Sequence, residues 1–216
     1  MKLNAKTICV LAMLAAIAFL LANTVYVSVF PSAPFLKYEP KDVVITIGGF
    51  LYGPLASLFI SVVVSLPEVM LSGTGLIGGL MDILSSCSFA CVAAYLYKKR
   101  HHLTGAIAGL CLGSVLTVGV MLLWNWAISP LYMGVPRHAV EEMLLPVFLP
   151  FNLLKAGLNS ALVLFLYKPI VTALRRTGLV KSNSEASGKS KIGVYLLAAS
   201  LLIVCILLIL IFQGKL

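Results

Sequence analysis

Residues 35–54, FLKYEPKDVVITIGGFLYGP, form a charged segment that runs directly into a short apolar one. Four charged side chains fall within six positions: Lys37, Glu39, Lys41 and Asp42. The apolar half is interrupted by a Gly-Gly pair at 48–49 and a Gly-Pro pair at 53–54, which favour turns over a continuing helix. Long apolar runs lie on both sides. This pattern predicts a loop followed by a short helix, set within a hydrophobic chain.

The composition indicates the class of protein. The chain has 216 residues, of which 61% are hydrophobic and only 11% charged, with a mean hydropathy of +1.06. A soluble domain carries charge on about 25% of its residues, so the sequence predicts an all-α polytopic protein in the lipid bilayer. The net charge of +9 comes from short Lys and Arg clusters between apolar runs. Such clusters are typical of topology signals, and we expect no nucleic-acid partner.

Seven apolar segments are predicted to be helices: residues 7–30, 43–52, 55–70, 75–97, 104–128, 144–166 and 192–212. We expect six of them to form one bundle over residues 1–176. A polar linker over 177–191 and a seventh transmembrane helix within 192–216 follow. The first segment begins like a signal peptide, but it continues without a small-residue cleavage site. It is therefore predicted to remain as a span.

The distribution of charge supports dividing residues 43–72 into two short helices. If they formed one span, the cluster Lys98, Lys99 and Arg100 would lie outside, against the positive-inside rule. With two helices, eleven Lys and Arg lie inside and four outside, the N-terminus is cytoplasmic, and residues 35–42 face outward. A helix over 43–52 is too short to cross a bilayer of about 30 Å. It is predicted to be shielded by protein or to begin below the membrane surface.

Lys155 lies in the middle of a predicted span, where a charged side chain is costly and indicates function. Asn152, Lys155 and Asn159 are spaced i, i+3, i+7, so they share one helix face. An ammonium with two amides suits an anionic or carbonyl-rich ligand. Two alternatives remain open: an internal ion pair between Lys155 and Asp82, and a proton relay.

Two further segments carry candidate ligand contacts. Asn125 lies between Trp124 and Trp126, which suits a flat aromatic ligand or, alternatively, an aromatic belt at the membrane interface. Residues 72–79, SGTGLIGG, are rich in glycine, so a ligand could approach their backbone closely. They lack the strand and the Gly-Lys-Ser/Thr of a phosphate-binding loop. Asp82 follows one turn later and is predicted to face inward.

Neither metal binding nor catalysis is indicated. The five cysteines lie within or at the start of apolar runs, and Cys87 and Cys91, four apart, have no histidine beside them. No Ser-His-Asp, His-Glu-x-x-His or paired-carboxylate pattern occurs where chemistry could be sheltered from water. We therefore expect no metal site and no enzyme activity.

Together these features resemble the substrate-binding S components of energy-coupling factor (ECF) vitamin transporters, and among them those specific for riboflavin. The resemblance rests on the 35–54 stretch, the 72–79 run, Asn125, and Asn152 with Lys155, and covers about residues 5–175. It implies a six-helix bundle with a riboflavin pocket near the outer face and the loop after the first span as its lid. The expected ligand contacts are Leu36, Lys37, Tyr38, Asp42, Gly78, Gly79, Asp82, Trp124, Asn125, Asn152 and Lys155.

The resemblance also implies partners and a compartment. Ala12 and Ala16 are small residues four apart, which let another helix approach closely, although ordinary packing within the bundle is the alternative. In the family such a surface docks on the transmembrane T component, which two ATP-binding subunits drive in the bacterial cell membrane. ATP would be bound by those subunits, and this chain would carry no cofactor. Transport involves tilting of the whole S component, so that the pocket turns inward.

Two features depart from the family pattern. Residues 78–82, GGLMD, stand where a Gly-Glu-x-x-Asn pattern is expected, and the helix within 192–216 is additional to the six-helix core. Three other functions remain open. They are an S component for another vitamin or precursor, a small membrane-embedded enzyme, and a standalone channel or secondary carrier.

Overall fold

The computed structural model describes residues 4–31, 33–71, 75–100, 102–176 and 192–215, and every structural statement below concerns these residues. The elements in chain order are α1 (Ala5–Thr24), β1 (Val27–Ser28), β2 (Lys37–Tyr38), α2 (Lys41–Tyr52), α3 (Pro54–Leu71), α4 (Gly75–Arg100), α5 (Leu103–Ala127), α6 (Ser129–Met133), α7 (Arg137–Met143), α8 (Leu149–Arg176) and α9 (Ile192–Phe212). A π-helical turn, Leu144–Phe148, joins α7 to α8. The predicted linker 177–191 and residues 72–74 of the glycine-rich run lie outside the described residues.

Within the described ranges, six helical segments are long and apolar enough to cross a membrane. They are α1, α3, α4, α5, the continuous segment from α7 through α8, and α9. The first five of these pack with the short α2 into a bundle, and α9 packs on the outside of α8. The prediction of an all-α membrane protein with a six-helix bundle and an additional C-terminal helix is confirmed.

The first helix is shorter than predicted. α1 ends at Thr24, and Val25 already has an extended backbone, with φ −119° and ψ 95°. Residues 24–30, TVYVSVF, are rich in β-branched and aromatic side chains, which favour extended structure. The segment 25–30, which hydropathy assigned to the span, therefore begins the loop between α1 and α2. We call residues 25–40 the α1–α2 loop.

The short helix predicted over 43–52 is α2, which begins two residues earlier, at Lys41. Residues 41–50 are buried on every side, which confirms that protein shields this helix. Gly49 allows close packing, because a Cβ at this position would lie only 2.8 Å from the Ala94 Cβ of α4. Gly53 turns the chain into α3 with a φ of +96°, a conformation that glycine adopts without steric strain. The division of residues 43–72 into two helices is confirmed.

The last helix of the bundle is longer than predicted. In place of a loop over 129–143 and a span over 144–166, α6 and α7 lead through the π-helical turn into α8. Pro146 has no N–H to donate and crowds the carbonyl one turn earlier, which disfavours a regular α-turn here. The wider π-turn accommodates it, and the Leu149 N–H bonds the Leu144 carbonyl. Lys168 and Arg176, which follow the predicted span in the sequence, lie on α8.

Candidate functional site

A cavity of about 340 Å³ lies between α4, α5, α8 and the α1–α2 loop. Its volume and its largely apolar walls with a few polar groups fit a small-molecule site, which typically encloses about 300–1,000 Å³. The lining residues are Phe35, Leu36, Met81, Asp82, Ser85, Met121, Asn125, Met133, Phe151, Asn152 and Lys155. The fold thus brings together five of the predicted ligand contacts, which are Leu36, Asp82, Asn125, Asn152 and Lys155.

Two buried amides line this cavity, that of Asn125 from α5 and that of Asn152 from α8. The Asn125 amide nitrogen donates to the Met121 carbonyl at 2.7 Å, and its oxygen accepts from the Ser129 hydroxyl at 2.8 Å. The Asn152 amide nitrogen donates to the Phe148 carbonyl at 2.8 Å. These bonds fix the direction of each amide. Because an amide has two donor hydrogens and an oxygen with two lone pairs, both keep capacity to bind a polar ligand edge.

The Lys155 ammonium reaches the same cavity and forms an ion pair with Asp42. The two groups are 3.3 Å apart. Asp42 is only 1% exposed and also accepts hydrogen bonds from the Ser86 hydroxyl at 2.5 Å and from the Asn159 amide at 3.2 Å. These contacts compensate the cost of burying both charges. The alternative of an internal ion pair was wrong in naming Asp82 as the partner of Lys155. The partner is Asp42, which α2 places next to α8.

A second ionic cluster, centred on Lys41, was missed by the sequence analysis. The Lys41 ammonium is 2% exposed and lies 3.1 Å from Glu39, 2.6 Å from Glu68 and 2.9 Å from Asp82. The Ser65 hydroxyl also donates to Asp82. The sequence did contain a sign of this cluster, because Glu68 and Asp82 are carboxylates within apolar segments and each requires a cation. Lys41 stands two residues before the short helix predicted over 43–52, so it was a candidate for that cation.

Three predicted contacts from the quoted stretch do not line the cavity. Lys37 is exposed, and its ammonium lies 4.4 Å from the centre of the Tyr26 ring. Tyr38 is buried, and its hydroxyl donates to the Asn159 oxygen at 3.1 Å. Burial, and then the negative charge of Asp42, raises the pKa of Tyr38, so its hydroxyl stays protonated and donates. Asp42 itself lies behind the cavity wall.

Three other predicted contacts, on α4 and α5, also lie away from the cavity wall. Gly79 is buried where α3 passes α4, with the Val69 side chain occupying the space that a Cβ would take. Gly78 and Trp124 are half-buried. The indole N–H of Trp124 has no hydrogen-bond partner among the described residues. A role for these residues in ligand binding stays a prediction.

Comparison with known proteins assigns the family. The sequence profile described as "ECF transporter, substrate-specific component" matches residues 6–167, most of the chain. The chain belongs to the S components of ECF transporters. This S component is 26% identical over 177 residues to the riboflavin transporter RibU of Staphylococcus aureus (strain TCH60), a match that covers 79% of this chain and 93% of that protein. It is 27% identical over 164 residues to the riboflavin transporter FmnP of Bacillus subtilis (strain 168), covering 71% and 85% respectively.

A solved structure supports the same assignment. It is the structure of the S component of a bacterial ECF transporter, and it superposes on this S component with a TM-score of 0.67 at 25% identity. The superposition covers 79% of this chain and 98% of the other. Membership of the family confirms the prediction that the protein is a transport component and not an enzyme. α9 lies beyond residue 167, where the family match ends.

Proposed function

We propose that this S component binds riboflavin in the cavity between α4, α5 and α8. The observation that carries the proposal is the convergence of Asn125, Asn152 and Lys155 on one largely apolar cavity. Riboflavin combines a flat ring system, a carbonyl-rich edge and a hydroxylated tail, which need this combination of apolar walls and a few directed polar groups. The similarity to riboflavin transporters of S. aureus and B. subtilis supports the same ligand.

Each part of the cavity has a chemical role in this proposal. The amides of Asn125 and Asn152 supply donors and acceptors for the ring edge, and the Lys155 ammonium donates to a carbonyl oxygen. Phe151 and the methionines of the lining pack against the ring faces, since thioethers adapt to flat aromatic surfaces. Leu36 belongs to the α1–α2 loop, which acts as the lid. Closure of the lid excludes water and slows release of the vitamin.

The proposal extends to transport. Ala12 and Ala16 are both exposed on α1, so they are available to dock on a transmembrane T component. Two ATP-binding subunits drive that partner, and the S component tilts to turn its cavity inward. The positive charge on one side of the predicted spans supports an N-terminus in the cytoplasm and an α1–α2 loop outside a bacterial cell.

A binding titration tests the ligand assignment. Riboflavin is added to the purified full-length protein in lipid nanodiscs, and quenching of the riboflavin fluorescence is measured. Binding of thiamine and of biotin is measured in parallel titrations. We expect saturable quenching by riboflavin at one site per chain. Saturable binding of another vitamin, with no quenching of riboflavin, overturns the ligand and retains the family. Riboflavin uptake into vesicles that lack any ATP-binding subunit would instead favour a standalone carrier.

A further inference from the structure

α9 makes specific contacts that a simple membrane anchor does not require. Most of its surface faces outward, but Ala198 and Cys205 are buried against the bundle. The fit against α8 is close, because a Cβ on Gly157 would lie 3.1 Å from the Cys205 sulfur. An apolar helix can anchor a chain in lipid without such complementary packing.

The C-terminal end of α9 reaches the α1–α2 loop. The Phe212 ring packs on the Phe30 ring, with their centres 4.7 Å apart. The Gln213 amide nitrogen donates to the Ser28 carbonyl at 2.7 Å. Gln213 and Ser28 are 185 positions apart in the sequence. We call these two interactions, made by Phe212 and Gln213, the C-terminal contact.

The α1–α2 loop has little regular structure of its own. Its hairpin consists of β1 and β2, two residues each, with Val27 opposite Tyr38 and Ser28 opposite Lys37. Even a longer isolated hairpin is marginally stable in water. The loop therefore depends on packing against other elements. The C-terminal contact supplies part of that packing, and it holds the strand that faces β2.

The contact is continuous with the wall of the cavity. Loop, α8 and α9 side chains form one apolar cluster that includes Phe30, Tyr38, Phe151, Cys205 and Phe212. Phe151 also lines the cavity, as does Leu36, which packs against this cluster from the loop. A change at the end of α9 is therefore transmitted through packed side chains to the loop residues beside the ligand site.

We propose that Phe212 and Gln213 are positioning residues that hold the α1–α2 loop over the cavity and slow the release of the bound vitamin. The assignment of the vitamin rests on the proposed function, whereas the restraint of the loop does not. Both residues lie outside the segment that matches the family. The seventh helix is thus an addition that stabilises the closed arrangement of the loop and leaves Ala12 and Ala16 exposed.

The test compares Gln213→Leu, and Gln213→Leu combined with Phe212→Ala, with the wild-type protein in nanodiscs. Ile211→Ala is the matched control, since Ile211 lies beside these residues on the same turn and is 52% exposed. Amide hydrogen exchange of residues 25–38 is measured without ligand, and riboflavin release is measured by recovery of fluorescence after dilution. We expect faster exchange and at least about threefold faster release in both test variants, as loss of one net hydrogen bond implies. Ile211→Ala should match the wild type in both measurements.

Each possible outcome supports or overturns one part of the proposal. Exchange in residues 25–38 that stays at the wild-type rate in both test variants overturns the restraint of the loop. Faster exchange with an unchanged rate of release shows that the contact restrains the loop but overturns its role in holding the vitamin. If the wild-type protein itself fails to bind riboflavin, the proposed function is rejected. The exchange measurement then still decides whether α9 restrains the loop.

Discussion

Lys155 and Lys41 both place an ammonium group inside the bundle, but they differ in how many of their donors are bound by protein groups. Lys155 pairs with one carboxylate, that of Asp42, and lines the cavity. Lys41 contacts three carboxylates and is absent from the cavity wall. An ammonium has three donor hydrogens. Lys155 also donates to the Ser85 hydroxyl at 3.5 Å, so one of its three donors remains for a ligand, whereas the donors of Lys41 are taken up by three carboxylates.

The first prediction separates the ligand role of Lys155 from its role in stability. Lys155→Met combined with Asp42→Asn removes both charges and leaves no unpaired carboxylate. We expect riboflavin affinity to fall by about 10- to 100-fold, because a hydrogen bond from a charged group is worth about 1.5–3 kcal/mol. The thermal unfolding temperature should stay close to that of the wild type. Fluorescence titration and thermal unfolding measure the two quantities.

The control for this pair is Lys168→Met, which removes an exposed charge from the same helix, α8. It should leave affinity unchanged. Lys155→Met alone should lower both affinity and stability, since it leaves Asp42 buried without its cation. A double variant that binds riboflavin as tightly as the wild type would exclude Lys155 from ligand binding.

The second prediction concerns Lys41. Lys41→Met leaves Glu39, Glu68 and Asp82 crowded together without their shared cation. We expect the free energy of unfolding to fall by about 3–5 kcal/mol, the usual cost of breaking a buried ion pair by removing one partner. Lys37→Met is the control, because Lys37 is exposed, and its effect should stay within about 0.5 kcal/mol. Equal stability of the two variants would show that the cluster contributes nothing to folding.

At the scale of elements, the site depends on α2. This helix is too short to span a membrane, and it presents Lys41 and Asp42 to α3, α4 and α8 from inside the bundle. α2 can lie deep inside the bundle because two of its residues, at contacts with neighbouring helices, are glycines. A Cβ at Gly48 would clash with Cδ1 of Ile60 and one at Gly49 with the Ser57 hydroxyl, so a side chain at either position would force its neighbour on α3 to shift.

The third prediction tests that packing. Gly49→Ala places a methyl group against Ser57 and Ala94, and we expect it to lower the free energy of unfolding by about 1–3 kcal/mol. Gly119→Ala on α5 is the matched control, since no atom lies within 4 Å of the Cβ position there. It should be neutral or stabilising by up to about 1 kcal/mol through helix propensity. Denaturant unfolding monitored by circular dichroism compares them, and a neutral Gly49→Ala would contradict the close-packing account.

At the scale of the whole molecule, α1 divides its small residues between two faces. Ala15, Ala18 and Ala22 are buried in the bundle, whereas Ala12 and Ala16 are exposed. Ordinary packing within the bundle therefore accounts for the first group and not for the second. An exposed pair of small residues four apart is suited to contact with a helix of another protein.

The fourth prediction follows from this face. Ala12→Trp combined with Ala16→Trp should leave riboflavin binding unchanged and abolish uptake in vesicles that contain the complete transporter. Two bulky rings prevent the close approach of a partner helix without touching the cavity. Val115→Trp is the control, because Val115 is 69% exposed on α5, and it should retain uptake. Uptake at the wild-type rate in the double variant would place the docking surface elsewhere.

Most of the helices could be predicted from the sequence because the lipid bilayer imposes a simple rule. A spanning helix must be long and apolar, so hydropathy located α3, α4, α5 and α9 to within a few residues, and positive charge required the turn at Gly53. The errors fell where local chemistry overrides hydropathy. The β-branched run after Thr24 is apolar but extended, and Pro146 is accommodated by a π-turn within a continuous helix.

The sequence by itself determined the membrane class, the family and the face shared by Asn152, Lys155 and Asn159. Those properties depend on composition, motif and the 3.6-residue period of a helix, which are all local along the chain. Only the tertiary structure shows that Lys155 pairs with Asp42, that Lys41 contacts three carboxylates, and that α9 contacts the α1–α2 loop. These contacts join residues far apart in sequence. The distances between these residues depend on how the helices pack, which no local sequence pattern indicates.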